Sequence, residues 1–331
     1  MFTHVEAAGC TNACRHCGRG GGPPYGGFFS VAELRELVAE GWTLYPDYET
    51  SAHPEYPEIL APEICGEEIG EGRRVHPTNG FGIARADDPE ALFGRLRELG
   101  FNMLSLTLHG LEDYHDWFVC RRGAYADIIR STGLAQSNGF YVHWNIYPDN
   151  RNLESLPALL ETCRDVGVGS GWPCLVCHEV SKRLHRYEKL RLSLRDVTER
   201  LAPGILGQAW PSIAGSVKAE PGELTEDYWL AVWRRSVDSE ELRSEFTWIE
   251  PRLRITRQRR VFMHGPCAPV LLGGLAEGRE ALEERARRLP VPPAWEPPPP
   301  EAAVFEHSNL LHPFGYSIRL KAVSLKLYGA S

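Results

Sequence analysis

The sequence predicts an α/β fold, a partial TIM-like (β/α)6 barrel followed by a smaller α+β extension. In the first 200 residues, short apolar runs of strand length alternate with amphipathic stretches of helical length. This alternation is typical of βαβ units and a parallel sheet, and about six such units fit. In such barrels the functional residues lie at the carboxyl ends of the strands. After residue 201 the alternation stops, which predicts a change of architecture.

Helix boundaries in the first part follow from local signals. Ser30, with Glu33 three positions later, predicts a capping box before an amphipathic helix. Asp88-Pro89 predicts the start of a second helix, which Gly100 ends. The remaining elements are predicted from periodicity: strands at residues 2–7, 42–45, 75–78, 103–108, 141–147 and 172–180, and helices at 125–137 and 156–166.

The second part of the chain is predicted to contain fewer regular elements. Residues 246–263 resemble two strands around a turn, and 275–289 resemble a charged helix. Residues 290–300 are proline-rich and predict an extended spacer, and 317–328 alternate enough for one more strand. We therefore divide the chain into a barrel at 1–200, an auxiliary region at 201–290, and a spacer with a tail at 291–331.

Composition restricts the class of partner. The chain has 331 residues with a formal net charge of −8, which argues against nonspecific binding to nucleic acid. A basic run at residues 252–260 is interpreted as a solvated strand edge in preference to a phosphate groove. No signal peptide or membrane-spanning run is recognised. Nine unevenly spaced cysteines indicate reduced thiols and metal ligands, so a cytoplasmic location is expected.

Three cysteines near the start of the chain carry the strongest functional signal. Cys10, Cys14 and Cys17 lie within eight residues, and such tight spacing suits three corners of one iron–sulfur cube. With no fourth cysteine nearby, one iron stays open to a small molecule. A structural zinc loop is the alternative, with His16 as its fourth ligand.

The Cys-x3-Cys-x2-Cys spacing resembles that of the radical S-adenosylmethionine (SAM) superfamily. The resemblance covers about residues 1–190 and implies a [4Fe-4S] cluster, SAM as cofactor, and an electron donor of flavodoxin or ferredoxin type. In that superfamily, reductive cleavage of SAM produces a 5′-deoxyadenosyl radical, which removes a hydrogen from the substrate. The cofactor supplies the difficult chemistry, and the protein orients it and excludes water.

The same resemblance implies a set of SAM contacts. Glu49 stands at the acid of the family's Gly-Gly-Glu-Pro segment, although Asp47 and Tyr48 replace the two glycines. A carboxylate opposite an ammonium group is a strong contact. The other implied cofactor-binding residues are His16, Asn79, Ser105, Asn145 and Arg122, with Arg121 as the alternative to Arg122.

Residues 254–267 and 272–275 resemble the hairpin and turn of SPASM and Twitch extensions, which carry auxiliary iron–sulfur clusters. The usual cysteine set is absent, so a second [4Fe-4S] cluster would use Cys174, Cys177 and Cys267. Alternatively, Cys177 or Cys267 is a lone thiol that donates a hydrogen atom to a substrate radical, as in radical epimerases.

Two functional hypotheses follow. The first is an enzyme that acts on a small natural product, sugar-like or nucleoside-like, by oxidation, epimerisation or sulfur insertion. The second is a SPASM-like maturase that modifies a peptide. Such maturases commonly have an N-terminal peptide-recognition domain, and the predicted barrel starts at residue 2, so we expect the small molecule.

Overall fold

The computed structural model describes residues 3–7, 9–15, 28–46, 49–65, 74–147, 149–168, 174–175, 252–264, 270–289 and 323–324. Within them the strands form two five-stranded sheets. The first has the order β2-β1-β7-β8-β9, with strands at Thr3–Val5 (β1), Leu44–Pro46 (β2), Arg252–Ile255 (β7), Arg260–His264 (β8) and Val270–Gly274 (β9). The second has the order β10-β6-β5-β4-β3, with strands at Arg74–Thr78 (β3), Phe101–Leu108 (β4), Tyr141–Ile146 (β5), Cys174–Leu175 (β6) and Val323–Ser324 (β10).

The strand directions confirm the predicted α/β class. β1 pairs in parallel with β2, and β3, β4, β5 and β6 pair in parallel with one another. In the described ranges no strand pairing joins β2 to β3, so the strands form two sheets there and not a closed barrel, which is consistent with the predicted partial barrel. The β7–β8 hairpin predicted near residues 246–263 is present, and β7 adds to β1 in parallel. The predicted three-part division of the chain stays a prediction.

The helices are α1 (Val31–Ala39), α2 (Pro62–Cys65), α3 (Pro89–Glu98), α4 (Glu112–Val119), α5 (Ala124–Ser137), α6 (Leu156–Asp165) and α7 (Arg279–Arg288). The capping box of Ser30 and Glu33 at α1 is confirmed. Asp88 caps α3 by accepting a hydrogen bond from the Ala91 backbone N–H. Sequence analysis missed α4, since no side chain caps it.

Burial alternates along the two central strands. Leu104, Leu106 and Leu108 of β4 are buried, while Ser105 and Thr107 between them are half-buried. Strand β5 alternates in the same way: Val142, Trp144 and Ile146 are buried, and His143 and Asn145 are half-buried. Because successive side chains point to opposite faces of a sheet, one face packs into the hydrophobic core and the other carries polar groups.

None of the helices in the described ranges is long and apolar enough to cross a membrane.

Candidate active site

The cysteine loop is held against the carboxyl end of α4. The backbone N–H of Ala13 donates to the Val119 carbonyl at 2.9 Å, and that of Arg15 donates to the Phe118 carbonyl at 3.0 Å. The Arg15 guanidinium also lies 4.0 Å from the centre of the Trp117 ring. A helix that sequence analysis missed therefore supports the loop that carries Cys10 and Cys14.

A buried aromatic and polar cluster fixes α4 in place. His109 stacks on Phe118 at 3.9 Å between ring centres, and its backbone N–H donates to His115 Nδ1 at 3.1 Å. Tyr114 donates from its hydroxyl to Asp149 at 2.6 Å. Burial lowers the pKa of His115 to about 4, so its imidazole is neutral near pH 7 and remains a hydrogen-bond acceptor. His109 thus contributes to packing beneath the loop.

Asn79 connects the cysteine loop to Glu49. Its side-chain Nδ2 donates to Thr11 Oγ1 at 3.0 Å and to Cys10 Sγ at 3.6 Å. Its backbone N–H donates to Glu49 Oε2 at 2.5 Å. One residue at the end of β3 therefore contacts both a predicted cluster ligand and the predicted SAM-binding acid.

The Glu49 carboxylate is buried among hydrogen-bond donors. Besides Asn79, it accepts hydrogen bonds from the Ser51 hydroxyl at 2.5 Å, the Ser51 backbone N–H at 3.2 Å and the Thr78 hydroxyl at 3.2 Å. Burial raises the pKa of Glu49, and these hydrogen bonds oppose that effect. No lysine or arginine in the described part of the chain forms an ion pair with Glu49.

Two glycines allow the Asn79 turn to lie directly on the segment that contains Glu49. A Cβ atom on Gly82 would lie 1.8 Å from the Ser51 carbonyl oxygen, a distance that no side chain tolerates. Gly80 has a φ of +79°, the left-handed region that glycine favours. Its carbonyl accepts a hydrogen bond from Ser131 of α5 at 2.8 Å.

Arg121, not Arg122, reaches the cysteine loop. Arg121 Nε donates to Asn12 Oδ1 at 2.6 Å, and its Nη1 pairs with Asp127 of α5. Its Nη2 is buried and has no hydrogen-bond partner within the described ranges. Arg122 is exposed, because the left-handed turn at Cys120 directs Arg121 toward the loop and leaves its neighbour at the surface. Of the two alternatives, the geometry favours Arg121.

Ser105 and Asn145 meet on the polar face of the second sheet. Asn145 Nδ2 donates to Ser105 Oγ at 2.7 Å, and the β5–β6 register places Cys174 beside Asn145. His143 lies on the same strand two positions earlier, and burial lowers its pKa. Sequence analysis did not name His143, although its alternation with Val142 and Trp144 was the available signal.

The structure describes only some of the other residues predicted as metal ligands or reactive thiols. His16, Cys17, Cys177 and Cys267 lie outside the described residues. Across the described ranges, no three side chains of His, Cys, Asp or Glu converge to hold a metal ion.

A buried acid and a buried guanidinium N–H near the cysteine loop lack partners in the described part of the chain. Glu49 is a buried carboxylate without a cationic partner there, and Arg121, although its Nη1 pairs with Asp127, has a buried Nη2 without an acceptor. Buried charged groups are normally paired. An α-amino acid carries an ammonium and a carboxylate, which match Glu49 and Arg121 respectively. The residues present therefore fit the amino-acid end of SAM.

The comparisons agree with this interpretation. A family model described as the Radical SAM superfamily matches residues 7–163. No protein with a curated description matches the sequence.

Several solved structures are similar at low identity. SuiB of Streptococcus suis, bound to the precursor peptide SuiA, is 11% identical with a TM-score of 0.47, over 78% of this chain and 58% of that one. The chain thus spans less than two thirds of SuiB. The enzyme anSMEcpe, with bound AdoMet and the Cp18Cys peptide, is 14% identical with a TM-score of 0.46, over 86% and 80%. TsrM from Kitasatospora setae, a radical SAM methyltransferase with cobalamin and a [4Fe-4S] cluster bound, is 13% identical with a TM-score of 0.35, over 69% and 46%.

The matched segment contains the cysteine loop, Glu49, Asn79 and Arg121, the residues that the structure brings together. The cofactors of this family are a [4Fe-4S] cluster and SAM. Over residues 7–163, this chain is thus similar to the radical SAM superfamily.

Proposed function

We propose that this chain is an enzyme that cleaves SAM reductively and removes a hydrogen atom from a small-molecule substrate. When bound, the cluster and SAM supply the 5′-deoxyadenosyl radical. The protein's own residues bind and orient the cofactors and exclude water from them. The observation that supports this proposal best is the placement of two groups with unused binding capacity in the described part of the chain. Glu49 is a buried acid without a cation and is connected to the cysteine loop through Asn79, and Arg121 contacts Asn12 of the loop and has a buried Nη2 without an acceptor.

Each residue has a distinct proposed role. Cys10, Cys14 and Cys17 hold the cluster. Glu49 binds the SAM ammonium, and Arg121, in place of Arg122, binds its carboxylate. The Asn79 side chain positions the loop by contacting Cys10 and Thr11.

The remaining contacts involve the other end of SAM. Asn145 and Ser105 already share a hydrogen bond on the polar face of the sheet, and we assign them to the ribose side. We keep His16 as the residue near adenine.

The substrate proposed is a small natural product, sugar-like or nucleoside-like, with oxidation, epimerisation or sulfur insertion as the outcome. A second cluster on Cys174, Cys177 and Cys267 would take part in that outcome, and a lone thiol of Cys177 or Cys267 is the alternative. Modification of a peptide is the other candidate function. The electron donor is expected to be a flavodoxin or ferredoxin, and the expected location is the cytoplasm.

SAM cleavage tests the central proposal. Anaerobically reconstituted protein with a reductant is expected to form 5′-deoxyadenosine, and replacement of Cys10, Cys14 and Cys17 by Ala should abolish it. Cys65→Ala is a matched control, because Cys65 lies at the end of α2 and has no proposed role. If the triple variant still cleaves SAM, the proposed cluster assignment is wrong.

Iron content tests the second cluster. With the first three cysteines replaced, a protein with an auxiliary cluster should retain about four iron atoms per chain. An iron-free triple variant would restrict Cys177 and Cys267 to the donor-thiol alternative.

A further inference from the structure

The basic run at residues 252–260 includes strand β7 and the turn that connects it to β8. It contains five arginines in nine residues. Because β7 pairs in parallel with β1, with Ile255 opposite Val5, both strands end at the same edge. The Glu6 backbone N–H donates to the Ile255 carbonyl at 2.9 Å, which brings the turn after β7 beside the chain that leads into the cysteine loop. This turn is only partly exposed to solvent: Arg257 and Arg259 are half-buried, and Arg260 is exposed.

Two of these arginines are neutralised by acidic residues of the barrel. Arg254 forms an ion pair with Glu6, and both side chains are largely buried. Arg259 pairs with Glu33 at 2.5 Å and lies 4.4 Å from the centre of the Phe29 ring. These two guanidinium groups attach the β7–β8 hairpin to the barrel. Each of the two acids, Glu6 and Glu33, thus already has an ion-pair partner.

Arg257 is different from its neighbours. Its backbone N–H donates to Glu6 Oε2 at 3.2 Å, so its position in the turn is fixed. Its side chain is half-buried, and the guanidinium Nη1 is buried with no hydrogen-bond partner among the residues that the structure describes. In the described part of the chain the Arg257 guanidinium forms no ion pair. Glu6, which accepts the hydrogen bond from the Arg257 backbone, pairs through its carboxylate with Arg254.

A buried guanidinium N–H without an acceptor is costly, and an anion that accepts two parallel hydrogen bonds, such as a carboxylate or a phosphate, satisfies it best. The excess positive charge lies where two parallel strands end, the edge at which such folds bind substrate. From this placement we infer that Arg257 binds an anionic group of the substrate, a carboxylate or a phosphate. The inference rests on the proposed function, since it assigns the substrate of that same site.

Anion binding tests the inference without requiring turnover. Thermal unfolding of the anaerobically reconstituted protein is measured against inorganic phosphate and, separately, against acetate, with sodium chloride at matched ionic strength. One of the two anions should raise the unfolding temperature saturably beyond the chloride control. A saturable increase with phosphate alone indicates a substrate that carries a phosphate. A saturable increase with acetate alone indicates a substrate that carries a carboxylate.

Variants locate the binding site. Arg257→Gln should weaken the saturable effect at least tenfold, roughly the loss expected for one charge-assisted contact. Arg260→Gln is the matched control, because Arg260 is exposed in the same hairpin, and it should bind the anion as the unmodified protein does. Arg257→Lys keeps the charge without the planar fork and should fall between them; it replaces the Gln variant if that protein does not fold.

Three results would overturn the inference. The first is that neither anion raises the unfolding temperature saturably. The second is that the Arg257 variants bind the anion as tightly as the unmodified protein. The third is that only Arg121→Gln abolishes anion binding, which would place the anion at the SAM site. The proposed function is assessed separately by SAM cleavage in the unmodified protein. Saturation without SAM cleavage refutes the proposed function alone, and SAM cleavage without saturation refutes this inference alone.

Discussion

Replacement of Glu49 by Gln tests the most specific part of the proposed site. The carboxylate accepts hydrogen bonds from Ser51, Thr78 and Asn79 and, in our proposal, from the SAM ammonium. A hydrogen bond to a charged group contributes about 1.5–3 kcal/mol. At about 1.4 kcal/mol per tenfold change, the dissociation constant for SAM should rise roughly 10- to 100-fold.

The variant also changes the local hydrogen bonding. A Gln amide has one acceptor and one donor group, so one of the donors that now surround Glu49 would face the Gln NH₂. Some loss of stability is therefore expected together with the loss of affinity. Glu55→Gln is the matched control: it lies in the same segment, is exposed, and accepts one hydrogen bond, from the Val31 backbone N–H at 3.0 Å.

The assay is calorimetric titration of SAM into anaerobically reconstituted protein, with iron content and unfolding temperature measured on each sample. Normal iron content with weakened SAM binding in the Glu49 variant, and unchanged binding in the Glu55 variant, is the expected result. Equal SAM affinity in a folded, iron-loaded Glu49→Gln protein would refute the ammonium assignment.

Three further predictions concern the same site. SAM affinity should fall as the pH decreases through the raised pKa of Glu49, because the protonated acid no longer attracts an ammonium, and should level off above it; titration at several pH values measures this. Arg121→Gln should weaken SAM binding about tenfold or more, whereas the exposed Arg122→Gln should not. Gly82→Ala should lower the unfolding temperature, because its Cβ would lie 1.8 Å from a carbonyl oxygen. The matched control for the glycine substitution is Gly94→Ala in α3, which has open space around the added Cβ and should raise stability by about 0.5–1 kcal/mol.

Each of these predictions has a contradicting outcome. A pH dependence of SAM binding that persists in Glu49→Gln would assign the titration to another group. Weaker binding in Arg122→Gln than in Arg121→Gln would restore the assignment made from the sequence. A Gly82→Ala protein as stable as the parent would show that the two segments are not in close contact.

The elements with strong local signals were predictable from the sequence. The capping residues Ser30 and Asp88 and the apolar alternation of β4 specify their structure within a few residues. The approach of Asn79 to Cys10 was not predictable in detail, because it depends on how three loops pack. The resemblance supplied both residues, but not the hydrogen bond between them.

The choice between Arg121 and Arg122 depended on a backbone conformation that the sequence does not predict. Cys120 adopts a φ of 55°, which is uncommon for a residue other than glycine, and this turn decides which arginine meets the loop. Helix α4 was missed for a related reason, since no side chain caps its start and only residues 109–111 separate it from β4. The acid partners of Arg254 and Arg259 could likewise not be predicted from the sequence, because they come from the other end of the chain.

The pairing of β7 with β1 has a consequence for how this protein is made. Glu6 and Arg254, which form an ion pair beside this pairing, are 248 residues apart in sequence. During synthesis the first strand leaves the ribosome long before its partner exists, so one of its edges stays unpaired for most of translation. Contacts of such long range slow folding, and an open strand edge invites association with other chains. A fragment that ends at residue 200 should therefore aggregate more readily than the full chain, even though it contains the whole segment that matches the radical SAM family.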